Sequence, residues 1–265
     1  MFLNLFPFLG IKIFKLALIP YCVMLHPYIL SQVHCSNMAA SLDKLFCREV
    51  ELENESVLKV YQCETGDVGC VVWDAAIVLA KFLEIATRIS ASDSQQPGIA
   101  KFCNVTLHNK TVVELGAGTG IVGIMAGILG ADACITDLQE FVPLMDLNIK
   151  ENADRIQGSV KACTLKWGED ITPFLPHPDY IIFSDCIYYE ESLEPLLETV
   201  SALAGNQTVV LWSYEERTTG NKPELQQRFF EAITKDFSVE EVPQDCLHPV
   251  YQSEDIHVLC MERKS

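Results

Sequence analysis

The sequence predicts an α/β fold in which helices cover both faces of a parallel sheet. From residue 111 onward, short apolar runs that resemble strands alternate with runs of helical periodicity. The strand-like runs are almost continuously apolar, which is typical of strands buried on both faces. A glycine-rich turn joins the first of them to a helix. The 265 residues suffice for one large domain with a substantial core.

The segment before this sheet has its own pattern. Two partly alternating runs, residues 45–52 and 56–62, flank a Glu-Asn-Glu turn and predict an N-terminal β-hairpin. A helix is predicted from Val71, because apolar residues then recur at helical spacing: Val72, Ala75, Ala76, Leu79 and Leu83. Within a mixed polar stretch, residues 90–98 (S-A-S-D-S-Q-Q-P-G) predict a flexible loop.

The sheet itself is predicted element by element. Strands are expected around Val112 and Val113, at residues 131–136, 160–165, 180–184 and 208–212, around Val239, and at residues 256–261. Helices are expected at residues 121–129, 139–150, 191–203 and 224–235. Gly130 follows the first of these helices as a C-terminal cap would.

Residues 111–137 form the core of this pattern and predict a nucleotide site. Glycines 116, 118 and 120 form a turn at a helix N-terminus, where backbone N–H groups face a ligand. The next strand ends on Asp137, where a carboxylate can hold the two hydroxyls of a ribose. The stretch therefore predicts binding of a cofactor that contains adenosine.

The acidic residue before the turn favours one such cofactor. Glu114 lies two positions before Gly116, and the turn is G-x-G-x-G rather than G-x-G-x-x-G. A carboxylate there would repel a pyrophosphate, whereas S-adenosylmethionine lacks phosphate and carries a sulfonium and an amino group that a carboxylate attracts. S-adenosylmethionine is thus the predicted cofactor, and a nicotinamide dinucleotide is the alternative.

Composition narrows the class of partner. The net charge of −17 argues against a nucleic-acid partner, because polyanions are bound by clustered Lys and Arg. Eleven cysteines include no C-x-x-C pair, and six histidines form neither H-E-x-x-H nor H-x-H, so no metal site is predicted. Cysteines lying inside apolar runs indicate a reducing, cytoplasmic location.

Residues 1–37 differ from the remainder of the chain. They are nearly all apolar or aromatic, and removing their +2 from the net charge of −17 leaves −19 on residues 38–265. Three interpretations compete: a membrane anchor, a targeting peptide, or an extension outside the working protein. Prolines 7, 20 and 27 interrupt the roughly 20 apolar residues that a spanning helix needs, which argues against an anchor. Met38 opens an ordinary soluble sequence, M-A-A-S-L-D-K-L, which favours the extension. Residues 38–265 are predicted to form the catalytic domain, and a membrane contact is expected only if the segment is an anchor.

The strand at residues 180–184 is followed by a second polar cluster. Asp185 and Tyr188 come where a doubly wound sheet places its active site, beyond the carboxyl end of a strand. The Asn/Asp-Pro-Pro-aromatic motif typical of enzymes that methylate exocyclic base nitrogens is absent. The alternative interpretation is an N-cap aspartate with a packing tyrosine.

Several motifs together resemble the methyltransferase-like 21 family. They include V-G-C-V-V-W-D, E-L-G-A-G-T-G-I-V-G, L-K-W-G-E, S-D-C-I-Y-Y-E-E-S-L and Y-E-E-R-T, and the similarity runs from about residue 45 to the end. It implies a class I, seven-strand, Rossmann-like S-adenosylmethionine-dependent methyltransferase that modifies protein lysines. Within the family, the resemblance is greatest to the branch that methylates valosin-containing protein, an AAA ATPase. Residues 1–37 have no counterpart there.

The resemblance also implies a role for individual residues. The cofactor would be bound by Trp73, Glu114, Gly116, Ala117, Gly118, Asp137, Trp167 and Ser184. Glu114 would face its amino group, Asp137 would hold the ribose, and Trp167 would stack on the adenine. Asp185 and Tyr188 would form the catalytic pair that orients the amine. Residues 214–218 are candidates for substrate contacts, with a solvated charged loop as the alternative.

An aromatic lip of Tyr188, Tyr189 and Tyr214 is expected to hold methylated ammonium by cation–π contact. Two other functions stay open at this point. One is methylation of small molecules or RNA. The acidic charge and the absence of the base-methylation motif argue against RNA as the substrate. The other is a cofactor-binding interaction protein without turnover, which the joint presence of Asp185 and the glycine turn disfavours.

Overall fold

The computed structural model describes residues 44–63, 67–88, 102 and 105–264. The predicted N-terminal extension and the predicted loop at residues 90–98 lie outside this part of the chain. No helix within the described residues is both long and apolar enough to cross a membrane.

The described residues form nine strands and five α-helices. The strands are β1 (Leu45–Glu51), β2 (Val57–Cys63), β3 (Thr111–Leu115), β4 (Asp132–Asp137), β5 (Ser159–Thr164), β6 (Tyr180–Ser184), β7 (Val209–Glu215), β8 (Phe237–Glu241) and β9 (Ile256–Arg263). The helices are α1 (Asp74–Ala86), α2 (Ile121–Ile128), α3 (Val142–Glu151), α4 (Glu190–Leu203) and α5 (Lys222–Ile233).

Seven of the strands form one sheet in the order β5-β4-β3-β6-β7-β9-β8. The five strands β3 to β7 run parallel, and β9 is antiparallel to both β7 and β8. The order reverses between β3 and β6, so the carboxyl ends of these strands border a crevice. The predicted α/β fold and its seven strands are confirmed, and the predicted hairpin is the antiparallel pair β1-β2.

Each central strand is buried on both faces, as its apolar sequence predicts. Val112 packs with the core under α1, α2 and α3, whereas its neighbour Val113 packs with the core under α4 and α5. In β6, Ile182 likewise faces the first core while Phe183 faces the second. This alternation fixes the register of the sheet, because a shift by one residue would exchange the two faces.

The hairpin is joined to α3 by two buried asparagines. Asn148 accepts a hydrogen bond from Tyr61 N–H at 2.7 Å and donates to the Tyr61 carbonyl at 3.0 Å. Asn152 makes the same pair of bonds to Lys59, at 3.0 and 2.7 Å. These amides imitate a strand and satisfy one edge of β2, which would otherwise carry unpaired backbone groups.

Helix α1 begins later than its apolar stripe predicts. It starts at Asp74 rather than Val71, because Trp73 is extended, with φ −87° and ψ 149°. The indole N–H of Trp73 donates to the Val68 carbonyl at 2.9 Å, in the short 3-10 turn Val68–Cys70. Periodicity continues through this turn because Val72 is also buried, so sequence spacing cannot mark the true start.

Candidate active site

The glycine turn between β3 and α2 needs its glycines for backbone conformation and for space. Gly116, Gly118 and Gly120 have φ values of 60°, 54° and 82°, in the left-handed region that other residues rarely adopt. A Cβ at Gly118 would also lie 2.7 Å from the carbonyl oxygen of Gly69. The turn therefore brings bare backbone to the edge of the crevice.

Asp137, at the end of β4, is tied to this turn. Its Oδ2 accepts a hydrogen bond from Gly118 N–H at 2.7 Å, and its Oδ1 accepts one from Leu138 N–H at 2.7 Å. Burial raises the pKa of Asp137 to about 6, although both N–H donors oppose this shift. Each oxygen keeps a second lone pair, so the carboxylate can still accept from a ligand's hydroxyls.

The turn and Asp137 border a cavity of about 580 Å³, within the usual range for small-molecule sites. Nine of the ten predicted site residues line it: Trp73, Gly116, Ala117, Gly118, Asp137, Trp167, Ser184, Asp185 and Tyr188. They come from five separate segments of the chain, and the sheet brings their ends together. What each residue binds stays a prediction.

Aromatic side chains form the walls of this cavity. Trp167 packs so closely on the glycine turn that its ring would lie 2.7 Å from a Cβ at Gly116. Trp73 is 40% exposed, as expected for a ring that faces a ligand rather than the core. Tyr188 and Tyr189 contact each other with ring centroids 4.4 Å apart. Flat rings and bare backbone suit a ligand with a planar base and a flexible tail.

Glu114 is the exception among the predicted site residues, and its predicted contact is corrected here. Its side chain does not line the cavity but is buried beneath α2, where its Oε2 accepts from Gly123 N–H at 2.9 Å. Burial raises the pKa of Glu114 to about 8. The carboxylate therefore caps buried backbone donors instead of facing a ligand's amino group.

Asp185 occupies a strained turn directly after β6. Its φ is 53°, which is uncommon outside glycine, and its N–H donates to the Ser213 carbonyl at 2.8 Å. The interpretation as a helix N-cap is wrong, because α4 begins at Glu190 with Tyr189 in the cap position. Asp185 instead lines the cavity, and its carboxylate accepts a hydrogen bond from Arg217.

Two cations at the cavity are absent from the predicted catalytic and cofactor-binding residues, although Arg217 lies within residues 214–218, the candidates for substrate contacts. Arg217 Nη2 donates to Asp185 Oδ2 at 2.5 Å and to Glu215 Oε2 at 3.2 Å, and its guanidinium carbon lies 5.3 Å from the Trp73 ring centroid. Lys222 Nζ donates to the Tyr188 carbonyl. The motif Y-E-E-R-T contains Arg217, but the sequence does not indicate which carboxylate it pairs with.

Tyr214 does not belong to the aromatic lip as predicted. Its ring stacks on Trp212 at 5.1 Å and on His257 at 5.0 Å, and it lies beside Asp185 but outside the large cavity. Burial raises the pKa of Tyr214 to about 12.

Comparison with known proteins agrees with this geometry. The model of a family described as lysine methyltransferases matches residues 52–236. The protein N-lysine methyltransferase METTL21A of Danio rerio is 34% identical over 246 residues, or 92% of this chain and 94% of the relative. The protein-lysine N-methyltransferase EFM6 of Saccharomyces cerevisiae is 30% identical over 223 residues, or 76% of this chain and 85% of the relative.

Solved structures support the fold class. The T. thermophilus 16S rRNA N2 G1207 methyltransferase RsmC, in complex with AdoMet and guanosine, aligns with a TM-score of 0.52 at 12% identity. The alignment covers 83% of this chain and 51% of that one. At this identity the likeness concerns the fold alone, and it confirms the expected class I methyltransferase architecture.

Proposed function

The chain belongs to the lysine methyltransferase family, and from this premise we propose that it methylates a lysine of the AAA ATPase valosin-containing protein. Its methyl donor is S-adenosylmethionine, and its reaction class is protein-lysine N-methylation. The finer proposal concerns the substrate and the residues that handle it. The single observation that carries the assignment of these residues is the convergence of the glycine turn, Asp137, Asp185 and Tyr188 on one cavity.

Binding of the donor is assigned to the residues whose chemistry fits it. Asp137 offers lone pairs to the ribose hydroxyls, and Trp167 offers a face to the adenine ring. Gly116 and Gly118 leave the close space that the methionine tail needs, since a Cβ at either would meet another group within 2.8 Å. When bound, S-adenosylmethionine supplies an electrophilic methyl group: a bond forms to lysine Nζ, the sulfonium–carbon bond breaks, and the amine proton goes to solvent.

Asp185 and Tyr188 are proposed to orient the amine. A lysine amine has a pKa of about 10.4, so it enters the site as a cation. The Asp185 side chain is only 8% exposed, and burial raises the pKa of Tyr188, which keeps the tyrosine a neutral hydrogen-bonding group. A carboxylate attracts the incoming cation, and a desolvated channel then favours loss of its proton. The pair positions the nitrogen rather than acting as a strong base.

The choice of substrate is supported by the motifs that resemble the branch acting on valosin-containing protein. The charge of −17 suits a partner with a lysine-bearing face, although solubility alone accounts for acidity equally well. A cytoplasmic location belongs to the same proposal, since cysteines that lie inside apolar runs suit a reducing compartment. Cell fractionation with antibody detection tests the location.

The experiment incubates purified protein, labelled S-adenosylmethionine and cell lysate. A labelled band that is removed by depleting valosin-containing protein supports the proposal, whereas label in other proteins alone identifies a different substrate. Label in RNA or small molecules would favour the alternative function. Asp185→Asn is expected to lose more than tenfold in rate while donor affinity changes less than threefold. Full activity in that variant would refute the role of Asp185.

A further inference from the structure

The cavity contains a cation-binding arrangement, which the guanidinium of Arg217 occupies. The Arg217 guanidinium lies against two carboxylates, at 2.5 Å from Asp185 Oδ2 and 3.2 Å from Glu215 Oε2. It also lies over the Trp73 ring, 5.3 Å from the centroid. Two anionic groups and an aromatic face are the features that bind an organic cation.

The same carboxylate is the one to which the proposed function brings the substrate. Asp185 is 8% exposed, its Oδ2 is engaged by Arg217, and its Oδ1 accepts from Glu215 N–H at 3.4 Å. A lysine ammonium placed on Asp185 would stand within a few ångströms of the guanidinium. Two like charges at that separation repel each other strongly in a partly buried site. Arg217 and a substrate lysine therefore compete for one position.

Arg217 is attached in a way that permits it to leave. Its side chain is 26% exposed, and the residues on either side of it, Glu216 and Thr218, are exposed. Further along the same segment, Gly220 has φ 64° and nothing within 4 Å of where its Cβ would be. A side chain that moves out of the cavity from this segment enters solvent without breaking the core.

A second cation, at the start of α5, shows that the aromatic lip also accepts an ammonium. Lys222 Nζ lies 5.9 Å from the Tyr189 ring centroid and donates to the Tyr188 carbonyl. The segment after β7 and the first residue of α5 thus place one guanidinium and one ammonium at the cavity of a strongly acidic chain.

We propose that Arg217 occupies the subsite of the substrate's lysine ammonium, and that an incoming lysine displaces it from Asp185 and Trp73. This inference rests on the proposed function, because it assumes that Asp185 receives the amine. Arg217 then determines specificity through competition: only a cation presented on a favourable protein surface replaces it. The apparent affinity for substrate is then the intrinsic affinity multiplied by the fraction of molecules in which the arginine is displaced.

The test compares Arg217→Ala with the wild type in two measurements. In steady-state methylation of the protein substrate, the variant should show a KM about threefold to tenfold lower, with kcat changed less than twofold. In ligand-observed NMR with n-butylammonium chloride, a model of the lysine side chain, it should bind at least threefold more tightly. Arg228→Ala is the matched control, since Arg228 pairs with Glu190 at 2.7 Å outside the cavity, and it should change neither value.

Opposite results overturn the inference. A KM that rises, a kcat that falls tenfold at unchanged KM, or equal n-butylammonium binding would each show that Arg217 is no competitor. Arg217→Gln, which removes the charge and keeps much of the stem, replaces the alanine variant if thermal unfolding shows that the latter is misfolded; its KM should then lie below that of the wild type. Binding of n-butylammonium does not depend on which protein is methylated. It therefore still tests whether Arg217 occupies a cation subsite, even if valosin-containing protein proves not to be the substrate.

Discussion

Replacing Glu114 by glutamine tests whether this carboxylate serves the fold or the cofactor. The Glu114 side chain is buried, and burial raises its pKa from the ordinary 4.5 to about 8. Between these two values the folded protein binds more protons than the unfolded chain, so stability falls as pH rises through this window. Glutamine does not titrate, and Glu114→Gln should abolish this part of the pH dependence.

The size of the effect follows from the shift. Each pH unit inside the window costs about 1.4 kcal/mol, so at pH 7 the wild type has lost about 3 kcal/mol relative to acid conditions. Glutamine keeps one oxygen to accept the Gly123 N–H, which is 2.9 Å from Oε2 in the wild type. Loss of the other acceptor costs about 1 to 2 kcal/mol. The variant should therefore be about 1 to 2 kcal/mol more stable at pH 7.

Urea unfolding at pH 5, 6, 7 and 8 measures this difference directly. The advantage of Glu114→Gln over the wild type should grow by about 1.4 kcal/mol per pH unit up to about pH 7.5. Glu231→Gln is the matched control, because Glu231 is exposed on α5 and accepts a hydrogen bond from Gln227 at 2.8 Å. Affinity for S-adenosylmethionine should change less than threefold. A difference independent of pH, or a tenfold loss of donor affinity, would refute the structural role.

Two further predictions concern the cofactor site. The proposal that the ionised form of Asp137 accepts the ribose hydroxyls makes a pH-dependent prediction: since its pKa is about 6, donor affinity should fall below pH 6 by up to tenfold per pH unit. Calorimetry should show that Asp137→Asn binds S-adenosylmethionine at least tenfold more weakly at pH 7.5 and without this pH dependence. An unchanged pH profile in the variant would contradict the role of Asp137. Gly118→Ala should lose more than tenfold in donor affinity and about 2 kcal/mol in stability, because φ is 54° and its Cβ would lie 2.7 Å from Gly69 O. Gly220→Ala, with φ 64° but open space around its Cβ, is the control that isolates the backbone cost, and equal losses in the two variants would exclude the clash.

Most of the sheet was predictable because its strands follow a simple physical rule. Residues such as Val112, Val113 and Phe183 are buried on one face or the other, so an uninterrupted apolar run marks the strand whichever face it meets. The glycine turn was predictable for a similar reason, since its left-handed conformations restrict the choice of residue. These features are encoded within a few consecutive residues.

The contacts that sequence could not predict depend on side-chain direction or on distant segments. Glu114 was expected at the cofactor because it precedes the glycine turn, but strand alternation points its side chain under α2. Arg217 and Asp185 are 32 positions apart, and only the pairing of β6 with β7 brings them together. The direction of the side chain decided which charges met.

The backbone of Asp185 connects these contacts to the chemistry. A left-handed conformation costs an ordinary residue about 1 to 2 kcal/mol, and glycine would remove that cost. Glycine would also remove the carboxylate that holds Arg217 and faces the cavity. Aspartate and asparagine tolerate this conformation better than most residues, so Asp185→Asn retains the turn while it removes the charge. Strain at this position is therefore balanced by electrostatic attraction, and the asparagine variant separates the two, since it should release Arg217 from Oδ2 without unfolding the turn.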